Sequence, residues 1–64
     1  MNTVLDVLRS ELRLKIEEQR TALAEGSAKD FAEYKEQTGA IRGLAYALYL
    51  TEDLMRKSQE NDND

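Results

Sequence analysis

Apolar residues return along this chain at helical spacings. Leu5, Leu8, Leu12, Ile16 and Leu23 follow one another at steps of three, four, four and seven, which at about 100° per residue keeps them on one side of a helix. Tyr34, Ile41, Leu48 and Met55 recur at every seventh position, with Phe31, Leu44 and Ala45 beside them. Both stripes are narrow, as in a coiled-coil seam. Proline is absent, and the one internal break strong enough to end a helix is Gly26-Ser27. The pattern therefore predicts an all-α antiparallel two-helix hairpin: helix 3–25, turn 26–27 and helix 28–58.

Local signals set these boundaries. Thr3 followed by Asp6, and Ser27 followed by Asp30, are each a hydroxyl N-cap with an acidic residue three positions on. Gly26 stands where a helix C-terminus needs a residue tolerant of positive φ. The segment 59–64, Gln-Glu-Asn-Asp-Asn-Asp, has no apolar residue and is expected to be a disordered acidic tail. With the chain reversing at 26–27, facing residues should have numbers summing to about 53. That register sets Leu23 near Phe31, Gln19 near Tyr34, Leu12 near Ile41, Leu8 near Ala45 and Leu5 near Leu48. It leaves the end of helix two, from Asp53 onward, projecting past helix one.

A second apolar stripe runs along helix two. From Gly43 to Thr51 nine consecutive residues carry no charge, so part of this helix has no polar side for water. Half a turn from Ile41 come Gly39, Gly43, Tyr46, Ala47, Leu50 and Leu54, which the hairpin partner cannot reach; Val7 and Leu14 are a smaller counterpart on helix one. A glycine within a helix costs up to about 1 kcal/mol relative to alanine, and two of them four residues apart need a compensating role. Small residues at 39, 43 and 47 let another backbone approach closely. Tyr46 and Tyr49 add rings whose hydroxyls can stay wet, which suits an interface edge. The alternative is that the glycines only make room for a bulky side chain of helix one. We expect these six residues to form a protein interface.

Size points the same way. A chain of 64 residues buries only about 60% of the surface its unfolded form exposes and needs reinforcement. Cysteine and histidine are both absent, which removes disulfides and thiolate or imidazole metal ligands and leaves oligomerisation, with a second copy of the chain as the first partner. The net charge is −4 and the pI about 4.7. Lys and Arg are interleaved with Asp and Glu, so the concentrated positive charge that phosphate backbones require is missing and no nucleic-acid contact is expected. Residues 1–6 lack the basic and apolar regions of a signal peptide, and no apolar run reaches the roughly 18 residues that span a bilayer. The expectation is a protein of the cytoplasm.

Candidate chemistry is sparse. Ser10, Ser27 and Ser58 have no histidine base, and no Gly-rich loop follows a strand to hold phosphate. Glu17 and Glu18 are adjacent and diverge around the helix. Glu33 and Glu36 share a face and, with Glu52 or Asp53, could be imagined as a carboxylate site, but bundle di-metal sites recruit histidine as well. We assign no catalytic, cofactor-binding or metal residue and expect no enzyme. Glu11 with Lys15, Glu52 with Arg56 and Asp53 with Lys57 have the favourable i, i+4 order of surface pairs. Arg42, lying between Gly39 and Gly43, is either an interfacial anchor for a carboxylate or an exposed solubilising charge.

The segments Asp30-Phe31-Ala32-Glu33-Tyr34 and Gly39-Ala40-Ile41-Arg42-Gly43-Leu44 resemble those of short α-helical hairpin proteins encoded by tailed bacteriophages. Those proteins open with a Leu- and Glu-rich helix, turn at Gly-Ser or Gly-Asn, and continue with an acidic-aromatic-x-x-Tyr and a Gly-x-Ile-x-Gly-Leu segment. The resemblance covers roughly residues 4 to 56; the Ala-Tyr-rich stretch 45–49 departs from it. It implies a phage protein among those that form or assemble the particle, in the host cytoplasm or the virion, with no catalytic residue to carry over. Two functions follow as expectations: a non-enzymatic structural or assembly role through helix–helix contacts, or a small acidic regulator that inhibits a host protein.

Overall fold

The computed structural model describes the backbone of residues 3–62 and the side chains of residues 3–59. Two helices, α1 (Val4–Ala24) and α2 (Phe31–Asp62), pack against each other, and no strand occurs among the described residues. The all-α helical hairpin is thus the fold. Helix α1 starts as its sequence dictates. The Asp6 N–H donates to Thr3 Oγ1 at 3.1 Å while the Thr3 N–H donates to Asp6 Oδ2 at 3.0 Å, a reciprocal capping box. Its end is equally local. Gly26 has φ +86°, its N–H donates to the Leu23 carbonyl, and the Ser27 N–H donates to the Ala22 carbonyl. This is a Schellman motif, which relies on a residue with no Cβ at the left-handed position.

The second helix begins three residues later than the pattern predicts. Asp30, not Ser27, is its cap: Asp30 Oδ1 accepts the Glu33 N–H at 2.9 Å, and Glu33 Oε2 accepts the Lys29 N–H at 2.7 Å. The Ser27 hydroxyl instead donates to Gln37 Oε1 at 3.0 Å. At its far end α2 continues to Asp62, so helix covers 59–62 of the segment expected to be a disordered tail. Asn63 and Asp64 lie outside the described residues.

The connection is therefore six residues, 25–30, rather than two, and the longer crossing moves the register. Ser27 stands beside Gln37, and Arg13 Nη2 donates to Glu52 Oε2 at 3.2 Å. Facing residues thus have numbers summing to about 64, a slide of roughly eleven residues, or three helical turns, from the expected pairing. Ile16 is level with Leu48, Leu23 with Ile41, and Leu12 with Thr51. The end of α2 does not project beyond α1; Met55, Ser58 and Gln59 share a shallow groove with Thr3, Val4, Leu5 and Asp6. It is the first turns of α2 that overhang. Phe31 is 73% exposed there, and its ring stacks on Tyr34 at 6.2 Å between centroids, with Lys35 Nζ 5.8 Å from the Phe31 centroid.

The core is thin. Ile16, 6% exposed, and Thr51, 5% exposed, are the buried residues among those described. Half-buried Leu5, Leu12, Gln19 and Leu23 of α1 and Gln37, Ile41, Leu44, Leu48 and Met55 of α2 complete the seam. Thr51 enters it by donating its hydroxyl to the Ala47 carbonyl at 2.8 Å, which satisfies the polar atom locally. Four seam residues expected from the pattern are out of it: Leu8, Phe31, Tyr34 and Ala45 are exposed, and half-buried Arg9 takes the position beside Leu5 and Leu12. The slide of register is the reason, since Leu8 and Ala45 no longer face one another.

Candidate functional site

The seam divides each helix into two flanks. On α2, counting about 100° per residue from the Ile41–Leu44–Leu48–Met55 line, one flank holds Gly43, Ala47, Leu50 and Leu54, with Gly39 and Tyr46 at its outer edge. The other flank holds Glu52, Tyr49 and Arg56. On α1, counted from the Leu5–Leu12–Ile16–Leu23 line, Arg9, Arg13, Glu17 and Arg20 make one flank and Val4, Leu8, Glu11, Lys15 and Glu18 the other, while Val7 and Leu14 fall on the side away from α2.

Which flanks lie together is fixed by one bond. Because the helices are antiparallel, the Arg13–Glu52 pair at 3.2 Å closes the two polar flanks on the same side of the hairpin. The two remaining flanks must then share the opposite side. The result is a two-helix layer with one charged face, the other face pairing the apolar flank of α2 with a mixed flank of α1 on which Lys15 and Glu18 pair at 3.5 Å. On that mixed face Val4 and Leu54 are each more than half exposed, and Leu8 and Leu50 are 43% and 42% exposed.

Five of the six residues predicted as an interface, Gly39, Gly43, Tyr46, Leu50 and Leu54, are exposed, and Ala47 is half-buried at the seam edge. The glycines do not make room for α1. A Cβ built on Gly39 or Gly43 would meet no atom within 4 Å, so no contact within one hairpin requires their small size. On α1, Val4 and Leu8 lie on the same side of the hairpin as the α2 stripe, among Glu11, Lys15 and Glu18. Arg42 is exposed and sits off this face, toward the charged side, so it is not an anchor within the apolar patch.

Electrostatics concentrate on the charged side and at the caps. Asp53 pairs with Arg56 and, at 3.1 Å, with Lys57; the Arg56 hydrogen bond first, then that of Lys57, lowers its pKa below the usual 3.8. The capping bonds from the Thr3 N–H and then the Thr3 hydroxyl lower Asp6 likewise, with Arg9 adding to the effect. Of the predicted i, i+4 pairs, Asp53–Lys57 forms. Glu52 turns to Arg13, and Lys15 pairs with Glu18 at 3.5 Å. Glu33 is engaged in the α2 cap and Glu52 across the seam, and no cluster of three or more acidic residues able to hold a metal occurs among the described residues. Among the described residues no helix is long and apolar enough to cross a membrane.

Fold and surface together define a class: a helical hairpin with an exposed apolar stripe along α2. No protein-family model, curated protein or solved structure matches the chain.

Proposed function

We propose that this is a non-enzymatic structural or assembly protein of a tailed bacteriophage, acting through helix–helix contacts and beginning with contacts to its own copies. The observation that carries the reading is the pairing, among the described residues, of a core holding one buried aliphatic side chain with an exposed apolar stripe on α2, where Leu50 and Leu54 follow Tyr46. Contiguous exposed apolar surface of this kind marks a protein interaction site. A hairpin has no third element with which to enclose a substrate, so catalysis forms no part of the proposal. The tailed-phage setting rests on the resemblance of residues 30–34 and 39–44.

Sedimentation equilibrium at micromolar concentration tests the interaction role. A dimer or larger species is expected, and a cooperatively folded monomer of 7.3 kDa would overturn it. Mass spectrometry of purified particles tests the setting: detection in the particle or in its assembly intermediates supports the assembly role. Absence from both, with co-purification of a host protein, would replace it by the acidic inhibitor.

A further inference from the structure

We infer that the hairpin has a second register, about three helical turns from the one described, and that the N-cap of α2 selects between the two: Asp30 holds the present register and Ser27 the other. This is a conformational device of the fold, independent of the interaction role proposed above.

The seam itself does not choose. Eleven residues are close to three whole turns, so sliding α2 by that amount returns nearly the same side of it to α1. Ile41 and Leu48 face apolar residues either way, Leu23 and Ile16 at a sum of about 64, Leu12 and Leu5 at a sum of about 53. The whole of α1, Val4–Ala24, is paired in both. What the slide exchanges is the end of α2 that stands free. In the present register Phe31 and Tyr34 overhang, 73% and 46% exposed. In the other they come level with Leu23 and Gln19, and α2 projects past α1 from about Leu50 onward.

Selection falls to the connection, where caps for both registers stand three residues apart. Asp30 now caps α2 through the Glu33 N–H, and Glu33 closes the box on the Lys29 N–H. The Ser27 hydroxyl donates to Gln37 Oε1 instead. A helix begun at Ala28 would have Ser27 as its N-cap and Asp30 as its third residue, the same arrangement with which Thr3 and Asp6 start α1. The bonds that favour the present register are the Asp30 box, Ser27–Gln37 and Arg13–Glu52, and all of them are exposed. Two packings of one sequence that differ by a few such bonds make a switch.

One conservative substitution tests it. Asp30→Glu removes a favoured N-cap and supplies the favoured third residue of a box begun at Ser27, so it weakens the present register and strengthens the other. A cap is worth about a fivefold change in such a ratio. Since the chain has no cysteine, paired cysteines at exposed positions report the two states. Arg13→Cys with Glu52→Cys bridges the present register. Arg20→Cys with Tyr34→Cys bridges the other: Tyr34 now lies about 15 Å along the axis from the level of Arg20, beyond the roughly 7 Å that a disulfide spans between Cα atoms, and the slide brings the two to one level on one flank. Register shifts take microseconds to milliseconds, faster than mild oxidation, so initial rates follow the populations. The intramolecular 20–34 disulfide, read by mass and taken relative to the 13–52 disulfide, is expected to form about fivefold faster with Asp30→Glu than in the parent background. The helical circular-dichroism signal should be unchanged or larger, because residues 28–30 join α2. A ratio that Asp30→Glu leaves unmoved would overturn the switch. So would a rise accompanied by loss of helical signal, which means that the hairpin opens rather than slides.

Discussion

Arg13 and Glu52, thirty-nine residues apart, are joined across the seam by a hydrogen bond of 3.2 Å, and this pair reports the register of the hairpin. Both side chains are about half exposed, so the bond itself contributes little; exposed ion pairs are worth roughly 0–1 kcal/mol. Arg13→Ala and Glu52→Ala should each shift stability by no more than about 0.5 kcal/mol. The register should survive both substitutions. In NOE spectra the Ile16 methyls are expected to see Leu48, and Leu12 is expected not to see Ile41. Contacts between Leu12 and Ile41 would restore the pairing of a two-residue turn.

The buried pair of the seam should respond in opposite directions. Ile16→Ala removes the one buried aliphatic side chain, and such truncations cost about 2–5 kcal/mol. A hairpin with so little else in its core should lose its cooperative thermal transition. Thr51→Val keeps the volume and removes a hydroxyl whose bond to the Ala47 carbonyl competes with helix geometry. It is expected to raise stability slightly, by up to about 1 kcal/mol, in urea titrations. A large loss at Thr51→Val would mean that the hydroxyl has a partner beyond its own helix.

What could be read from the chain, and what could not, separates local from non-local chemistry. The Thr3–Asp6 box and the Gly26 Schellman end involve residues within a few positions of one another, and the sequence specifies them. The Ser27–Asp30 segment offered two caps in series. Asp30 prevails because its carboxylate accepts the Glu33 N–H while Glu33 reaches back to Lys29. That choice lengthens the connection, and a longer connection moves every facing pair. Heptad repeats tolerate such a slide: Leu12, Ile16, Leu23, Ile41, Leu48 and Met55 stay in the seam in either register, so periodicity alone could not decide between them. Leu8, Phe31, Tyr34 and Ala45 were lost from the seam for this reason, and Thr51 was concealed because a threonine in an apolar run reads as polar. The second stripe of α2 was visible in the sequence. That Val4 and Leu8 of α1 lie on its side of the hairpin follows from the Arg13–Glu52 pair and was not.

Acid should erode the caps. Asp6 and Asp53 both have folded pKa values lowered below 3.8. A group lowered on folding contributes stability that is fully present above its unfolded pKa and is lost as pH falls through its folded one. Melting temperature should therefore be flat from neutral pH down to about 4 and fall below it. In Asp6→Asn the acid limb should be shallower than in the parent. Thr3→Ala tests the cause: losing the hydroxyl should cost about 1 kcal/mol and move the Asp6 titration, followed by carboxyl chemical shift, back toward 3.8. An unmoved Asp6 titration would show that the Thr3 hydroxyl is not what stabilises the carboxylate.

Gly43 separates folding from association most sharply. Within one hairpin a Cβ there meets nothing within 4 Å, and a non-glycine residue improves helix propensity by up to about 1 kcal/mol. Gly43→Leu should accordingly leave the helical circular-dichroism signal intact or stronger. In an assembly through the α2 stripe the same side chain would stand in the contact, and extra volume at a packed contact costs about 1–3 kcal/mol. This should raise the dissociation constant by about one to two orders of magnitude, since 1.4 kcal/mol is tenfold. Gly43→Ala should fall between the parent and Gly43→Leu. Sedimentation and circular dichroism on the same samples decide the matter: a Gly43→Leu protein that is helical and associates as the parent does would place the interface elsewhere on the molecule.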